Sequence, residues 1–232
     1  MRTLAGLILL LLCLSVQAAE RLPIDKVDSN ILTQETQKSD GADNAMDLVW
    51  WIPVEFWEAA LSGNPAITPQ QVAEVVETLR PYSVIAVVQA DISNQGAFHF
   101  FDEKKVTAGL RVEYRPANRS PVHISINELA HPDVVLLLNQ LSPILTAAMG
   151  NMGENFYFFP LPDTDKNGDR LVSPYEEGVL RVTLAKREGL SRPPFEFQLP
   201  LDSLHEPRRC PNGQPAHISW KYCPWSGTKL ED

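Results

Sequence analysis

Hydrophobic positions in this chain switch between helical and strand spacing several times, and turn residues mark the switches. The sharpest signal is Thr68-Pro69-Gln70-Gln71, which joins an N-cap, a proline at the first helical position and a capping-box glutamine. Val72, Val75, Val76 and Leu79 follow at helical spacing and Glu74 and Glu77 fall on the opposite side, so a helix starts at Pro69, ends before Pro81 and covers a sheet. A second helix is predicted over 54–62, closed by Gly63, with Phe56, Trp57, Ala60 and Leu61 on one face. A third, over 132–149, carries Leu137, Leu141, Ile144, Leu145 and Ala148 on one face with further apolar residues beside them, which predicts deep burial. Pro143 should kink or split it, and Asn139, Gln140 and Ser142 exclude a membrane span.

Between these helices, 82–92 is rich in Val and Ile, 97–101 is aromatic, and 110–114 alternates apolar with charged residues. These read as strands, with a short fourth at 123–126 and three more at 155–161, 178–184 and 195–201. Runs of strands separated by a few helices, without regular βαβ alternation, define an α+β class: a mostly antiparallel sheet covered by two or three helices. A β-sandwich with inserted helices is the alternative. No repeat at solenoid or propeller spacing is present.

The ends of the chain differ from its middle. Arg2 precedes an apolar run at 4–14, and Ser15-Val16-Gln17-Ala18 places Val and Ala at the minus-three and minus-one positions of a cleavage site. A run this short falls well below the roughly twenty residues of a spanning helix, so residues 1–18 read as a signal peptide. The expectation is export to a periplasmic or extracellular compartment, with no integral membrane segment once the signal is removed. Leu12 before Cys13 argues against lipid attachment. Residues 19–46 are charged and polar with scattered apolar positions and read as a flexible leader. Order is expected near Leu48, where Trp50, Trp51, Phe56 and Trp57 suit core packing better than a sugar-stacking platform. The α+β domain then spans 47–207, and a small module occupies 208–232.

Composition narrows the choice of partner. With 44% hydrophobic and 21% charged residues the chain can bury a core. Its net charge of −9 opposes binding to phosphate backbones, so no nucleic-acid partner is expected. A protein or an envelope component is the expected partner of an exported chain.

Two segments carry candidate chemistry. Asp163, Asp165, Asn167 and Asp169 place oxygen ligands at alternate positions around Gly168, and this resembles the calcium-binding loop of EF-hand proteins. In a register beginning at Asp163 the twelfth position is Pro174, which cannot close a site. In a register beginning at Asp165, Asn167, Asp169, Val172, Ser173 and Glu176 take positions three, five, eight, nine and twelve, although Arg170 stands where the family has glycine. The resemblance implies a structural calcium ion held by Asp163, Asp165, Asn167, Asp169 and Glu176. A polar hairpin turn is the competing reading.

Cys210-Pro211-Asn212-Gly213 and Cys223-Pro224-Trp225-Ser226-Gly227 resemble the two knuckles of a zinc ribbon, with Gly213 and Ser226 in place of the second cysteine of each. One cysteine per knuckle survives, and Cys13 leaves with the signal. A Cys210 to Cys223 disulfide is therefore expected in an oxidising compartment. A zinc site completed by His205 and His217 ranks below the disulfide, because neither histidine has knuckle spacing. Trp220, Tyr222 and Trp225 are expected to pack across this staple, with a binding face as the alternative.

No nucleophile elbow, H-E-x-x-H helix or carboxylate pair on scaffold strands appears, and a thioredoxin-type C-x-x-C is absent. Asp91, Asp102, Glu103 and His99 lie near strand ends, as such groups do in most β-proteins. The leading expectation is an exported, non-enzymatic binding or envelope-associated protein. The alternative is a secreted hydrolase whose site is assembled in space and hidden from sequence.

Overall fold

The continuous apolar run at 82–92 demands cover on both faces, and it receives it. In the computed structural model, which describes residues 20–41, 44–126, 130–141, 143, 146–147, 150–187 and 192–230, this run is strand β3 (Tyr82–Ile92), buried from Ser83 to Ala90. The expected signal segment lies outside the described residues.

Along one edge β3 pairs with β2 (Ala45–Ile52), which pairs in turn with β1 (Gln37–Asp40). Along its other edge it pairs with β7 (Tyr157–Pro162) and, further along, with β4 (Phe98–Phe100). A second sheet has the order β6 (Val122–Ile124), β5 (Arg111–Pro116), β8 (Gly178–Thr183) and β9 (Phe195–Leu199). Every strand pairing among the described residues is antiparallel.

Period-two alternation sends successive residues of the first sheet into two different cores. Val49, Trp51, Ile85, Val87 and Leu161 face the second sheet, where Val112, Tyr114, Leu180 and Phe197 meet them. Ile52, Val84, Ala86 and Val88 face the helices α2 (Val54–Ser62), α3 (Pro69–Leu79) and α5 (Pro132–Asn139). The layers are thus helices, sheet, sheet. The expected helix-covered antiparallel sheet and its sandwich alternative occur together, because the first sheet is apolar on both sides.

Local signals are realised closely in α3. Thr68 Oγ1 accepts from the Gln71 backbone N–H at 3.3 Å, and Gln71 Oε1 accepts from the Thr68 N–H at 2.9 Å. Helix α2 ends at Gly63 with φ −77°, so that glycine closes the helix without the left-handed geometry that favours it.

Three expectations need correction. Helix α5 is not deeply buried: Val134 and Leu138 face the sheet, but Val135 and Leu136 are 43% and 61% exposed. As an outer-layer helix it has a single face to bury, whatever its overall hydrophobicity. Residues 142, 144–145 and 148–149 of the predicted helix lie outside the described residues. Helix α4 (Glu103–Gly109), capped by Asp102 accepting from the Lys105 N–H at 2.7 Å, escaped the sequence reading because it buries Val106 alone.

The third correction concerns the leader. Most of 19–46 is ordered: helix α1 (Ser29–Thr36), strand β1 and the start of β2 fall within it. Asp28 caps α1 by accepting from the Asn30 N–H at 2.8 Å, and Leu32 is 0% exposed in the inter-sheet core. Glu35 accepts from the backbone N–H groups of Asp202 and Ser203 at 2.6 and 3.0 Å, and from Ser203 Oγ at 2.6 Å. The polar residues that suggested a solvated leader make tertiary bonds that composition does not register.

Candidate functional site: acidic loop, aromatic tail and the groove beside it

The acidic loop begins where β7 ends. Asp163 is 0% exposed, and its carboxylate accepts from Ser83 Oγ at 2.6 Å, the Val172 N–H at 2.7 Å and Arg170 Nε at 3.3 Å. Burial pushes its pKa above the ordinary carboxylate value, against the pull of Arg170 and of the bonds from Ser83 and Val172. Arg170 reaches onward to Glu55 of α2, with Nη1 to Oε1 at 2.6 Å. A buried polar chain therefore runs from Trp51 Nε1 through Ser83, Asp163 and Arg170 to Glu55, and it bolts the loop to the first sheet and α2.

Asp165, Asn167 and Asp169 sit apart from Asp163, at the tip of the turn. Asp165 Oδ1 accepts from the N–H groups of Asn167 and Asp169 at 2.8 and 2.9 Å, and Gly168 has φ +85°, a left-handed conformation natural to glycine. Val172 is fully buried, and Glu176 is exposed with Arg119 Nη2 at 3.5 Å. Among the described residues no group of three or more His, Cys, Asp or Glu side chains is placed to hold a metal ion. Sequence spacing alone did not reveal that Asp163 faces inward while its neighbours two and more residues on face out.

The tail is built from two tight turns. In the first, the Gly213 N–H donates to Cys210 O at 2.8 Å, and β10 (Arg208–Arg209) pairs with β11 (Pro215–Ala216). In the second, the Gly227 N–H donates to Cys223 O at 2.8 Å. Gly213 and Gly227 have φ +81° and +68°, so each turn closes on a left-handed glycine. Cys210 and Cys223 form a disulfide with Cα atoms 5.6 Å apart, and with Ala216 and Leu230 they make a small core of their own. A polar bond docks this unit on the body, the Ile218 N–H donating to Asp202 Oδ1 at 2.8 Å, and within the tail Arg208 Nη1 donates to Ile218 O at 2.8 Å.

The tail aromatics do not pack across the staple. Trp220, Tyr222 and Trp225 are 38%, 60% and 55% exposed, with the Trp220 and Trp225 rings 5.9 Å apart at 68°. The earlier aromatic group is the reverse: Trp51 and Trp57 are buried, and Trp50 and Phe56 are half-buried.

Beside the exposed rings, where the tail meets the body, lies a groove of about 220 Å³ lined in part by Arg21, Tyr175, Glu177, His205, Trp220 and Lys221. The Arg21 guanidinium lies over the Tyr175 ring at 4.1 Å. Burial, with Glu55 nearby, pushes the Tyr175 hydroxyl up to about 12, so it remains a donor. Its residues come from positions 21 to 221, so no local motif announces the groove. It exists because residues 20–22 run alongside 204–206, with the Leu22 N–H donating to Leu204 O at 3.0 Å.

One arrangement has the order of a hydrolase relay. Ser219 Oγ is 2.8 Å from His217 Nδ1, and His217 Nε2 is 4.0 Å from Glu35 Oε1. Its bonds are those of a turn: His217 Nδ1 also accepts the Ser219 backbone N–H at 3.2 Å, and Glu35 is engaged by Asp202 and Ser203.

No helix among the described residues is long and apolar enough to cross a membrane. Fold and surfaces together define a mixed α/β protein of mostly antiparallel sheets with a disulfide-linked, aromatic-faced C-terminal tail. No protein-family model, curated protein or solved structure matches the chain.

Proposed function

We propose that this is an exported, non-enzymatic binding protein whose recognition face is the aromatic surface of the tail. The observation that carries the reading is the exposure of Trp220, Tyr222 and Trp225 within six residues on a covalently stapled unit. Rings held rigidly in water lose little conformational entropy on binding and contribute large contact areas, which is why Trp and Tyr dominate recognition hot spots. The two-sheet body acts as the carrier. The tail is a degenerate zinc-ribbon module in which the disulfide takes the place of the metal, a reading supported by two Cys-Pro turns that each close on a left-handed glycine. The partner is an envelope component.

The body also carries a structural calcium loop in the register that begins at Asp165. Asp165, Asn167 and Asp169 share one turn and the apolar eighth position, Val172, is buried, while Asp163 serves as the internal anchor of the loop. Glu176 would leave Arg119 to close the site.

The binding reading is tested by sedimentation with isolated cell envelopes. The mature protein should be retained, and Trp220→Ala and Trp225→Ala should lose most of that retention while melting like the parent. A parent that stays in solution, or variants retained equally well, would refute it.

The hydrolase reading survives on the Ser219 and His217 contact alone. Hydrolysis of a simple nitrophenyl ester by the parent, abolished in Ser219→Ala, would establish it in place of binding.

A further inference from the structure

We propose that the groove between tail and body binds an acidic saccharide, with a sugar carboxylate meeting Arg21 and Lys221 and a sugar ring lying on Trp220. The inference rests on the tail being a recognition face and names the ligand class for it.

The cations are prepared for this. Stacking on Tyr175 at 4.1 Å fixes the plane of the Arg21 guanidinium and leaves its in-plane N–H groups to engage a carboxylate in a two-pronged contact. The Arg21 backbone is itself held, by its bridge to His205 and by the Glu206 N–H donating to Glu20 O at 2.9 Å. Neither Arg21 nor Lys221 forms an ion pair with a described residue, although the chain carries 29 acidic side chains against 20 basic ones. In so acidic a protein the overall field repels anions, so Arg21 and Lys221, which share the groove walls with Arg208 and Glu177, act locally and selectively.

The remaining walls match a polyhydroxylated ring. Trp220 presents its exposed ring beside the cations, and its edge-to-face contact with Trp225 steadies it. Glu177 supplies an acceptor for sugar hydroxyls, complementing the two donors. An acidic peptide would need apolar side-chain pockets as well, and here the purely aliphatic lining is Pro200 and Ile218, both buried.

The test titrates the mature protein with oligogalacturonate, with a galactose oligomer of the same length lacking the carboxylates, and with a hexaglutamate peptide. Binding is read by calorimetry and tryptophan fluorescence at low salt and at about 0.2 M salt. The uronate should bind about tenfold or more tightly than the neutral oligomer and weaken with salt. Arg21→Gln and Lys221→Gln should each reduce affinity about fivefold or more without shifting the melting temperature. Equal affinity for acidic and neutral oligomers, or an Arg21→Gln protein that binds like the parent, overturns the inference. Tighter binding of hexaglutamate than of uronate replaces the saccharide with an acidic peptide. If no saccharide binds while Trp225→Ala still loses envelope retention, the groove assignment fails and the recognition face stands. If retention is also indifferent to the tail rings, both fail.

Discussion

Three of the five tryptophans fall within eight residues at 50–57, and the other two within six at 220–225, yet the two groups have opposite fates. Trp51 is sealed between the two sheets, 6.1 Å from Phe197, and Trp57 lies under the helices. Trp220 and Trp225 stand in solvent on a unit whose core consists of two half-cystines, one alanine and one leucine. The local sequences do not explain the contrast, since both groups are aromatic-rich and flanked by proline. Available cover does. Two apolar layers can enclose an indole, whereas a tail of about twenty-five residues has too little interior to do so and must be stapled to fold at all.

The largest expected effect follows from removing an enclosed ring. Trp51→Ala should cost about 3–5 kcal/mol in chemical denaturation, since it leaves a large cavity and deprives Ser83 of its indole donor. A loss under about 1 kcal/mol would mean the inter-sheet core collapses around the gap. Next in size is the staple. Replacing Cys210 and Cys223 by serine removes a constraint of about 3 kcal/mol by the chain-entropy account, but the loss should stay local. The tail should become sensitive to protease while the body resists it. Unfolding of the whole chain on reduction would show that tail and body are one cooperative unit.

The same inside and outside division runs through the acidic loop, where Asp163 is buried and Asp165 is at the tip. Calcium at ten times its dissociation constant should stabilise the parent by about 1.4 kcal/mol, a shift of a few degrees in melting, and should not stabilise Asp165→Ala. Equal melting in calcium, magnesium and chelator would reduce the loop to a polar turn. Asp163 should show itself through pH instead. Its folded pKa is raised above 3.8, so between 3.8 and the raised value the folded state binds more protons than the unfolded one, and stability contributed by Asp163 falls as pH rises through that window. Relative to Asp163→Asn, the parent should therefore lose ground as pH climbs. A flat or rising difference would mean that Arg170 and Ser83 outweigh the cost of burial. The smallest effect belongs to the exposed ring: Trp225→Ala should change stability by no more than about 0.5 kcal/mol.

Legibility followed how local each feature is. Helix α3 could be read because its cap, its first-turn proline and its apolar face all lie within a dozen residues. The disulfide pair followed from two cysteines that each open a Cys-Pro turn. Helix α1 could not be read, because one buried leucine and a glutamate bound to residues more than 160 positions away give no periodic signal. The groove was invisible for the same reason.

By itself, then, the sequence determined strands β3 to β9, the best-capped helix and the cysteine pairing, which depend on local signals, while β1 and β2 were not read from it. Tertiary structure alone decided that the first sheet is covered on both faces, that the polar N-terminal segment is part of the core, and that Asp163 turns inward while Asp165 does not. It also decided which aromatic cluster is buried and which is left exposed. Burial depends on what the rest of the chain brings alongside a residue, and that contact is set by packing between segments far apart in sequence.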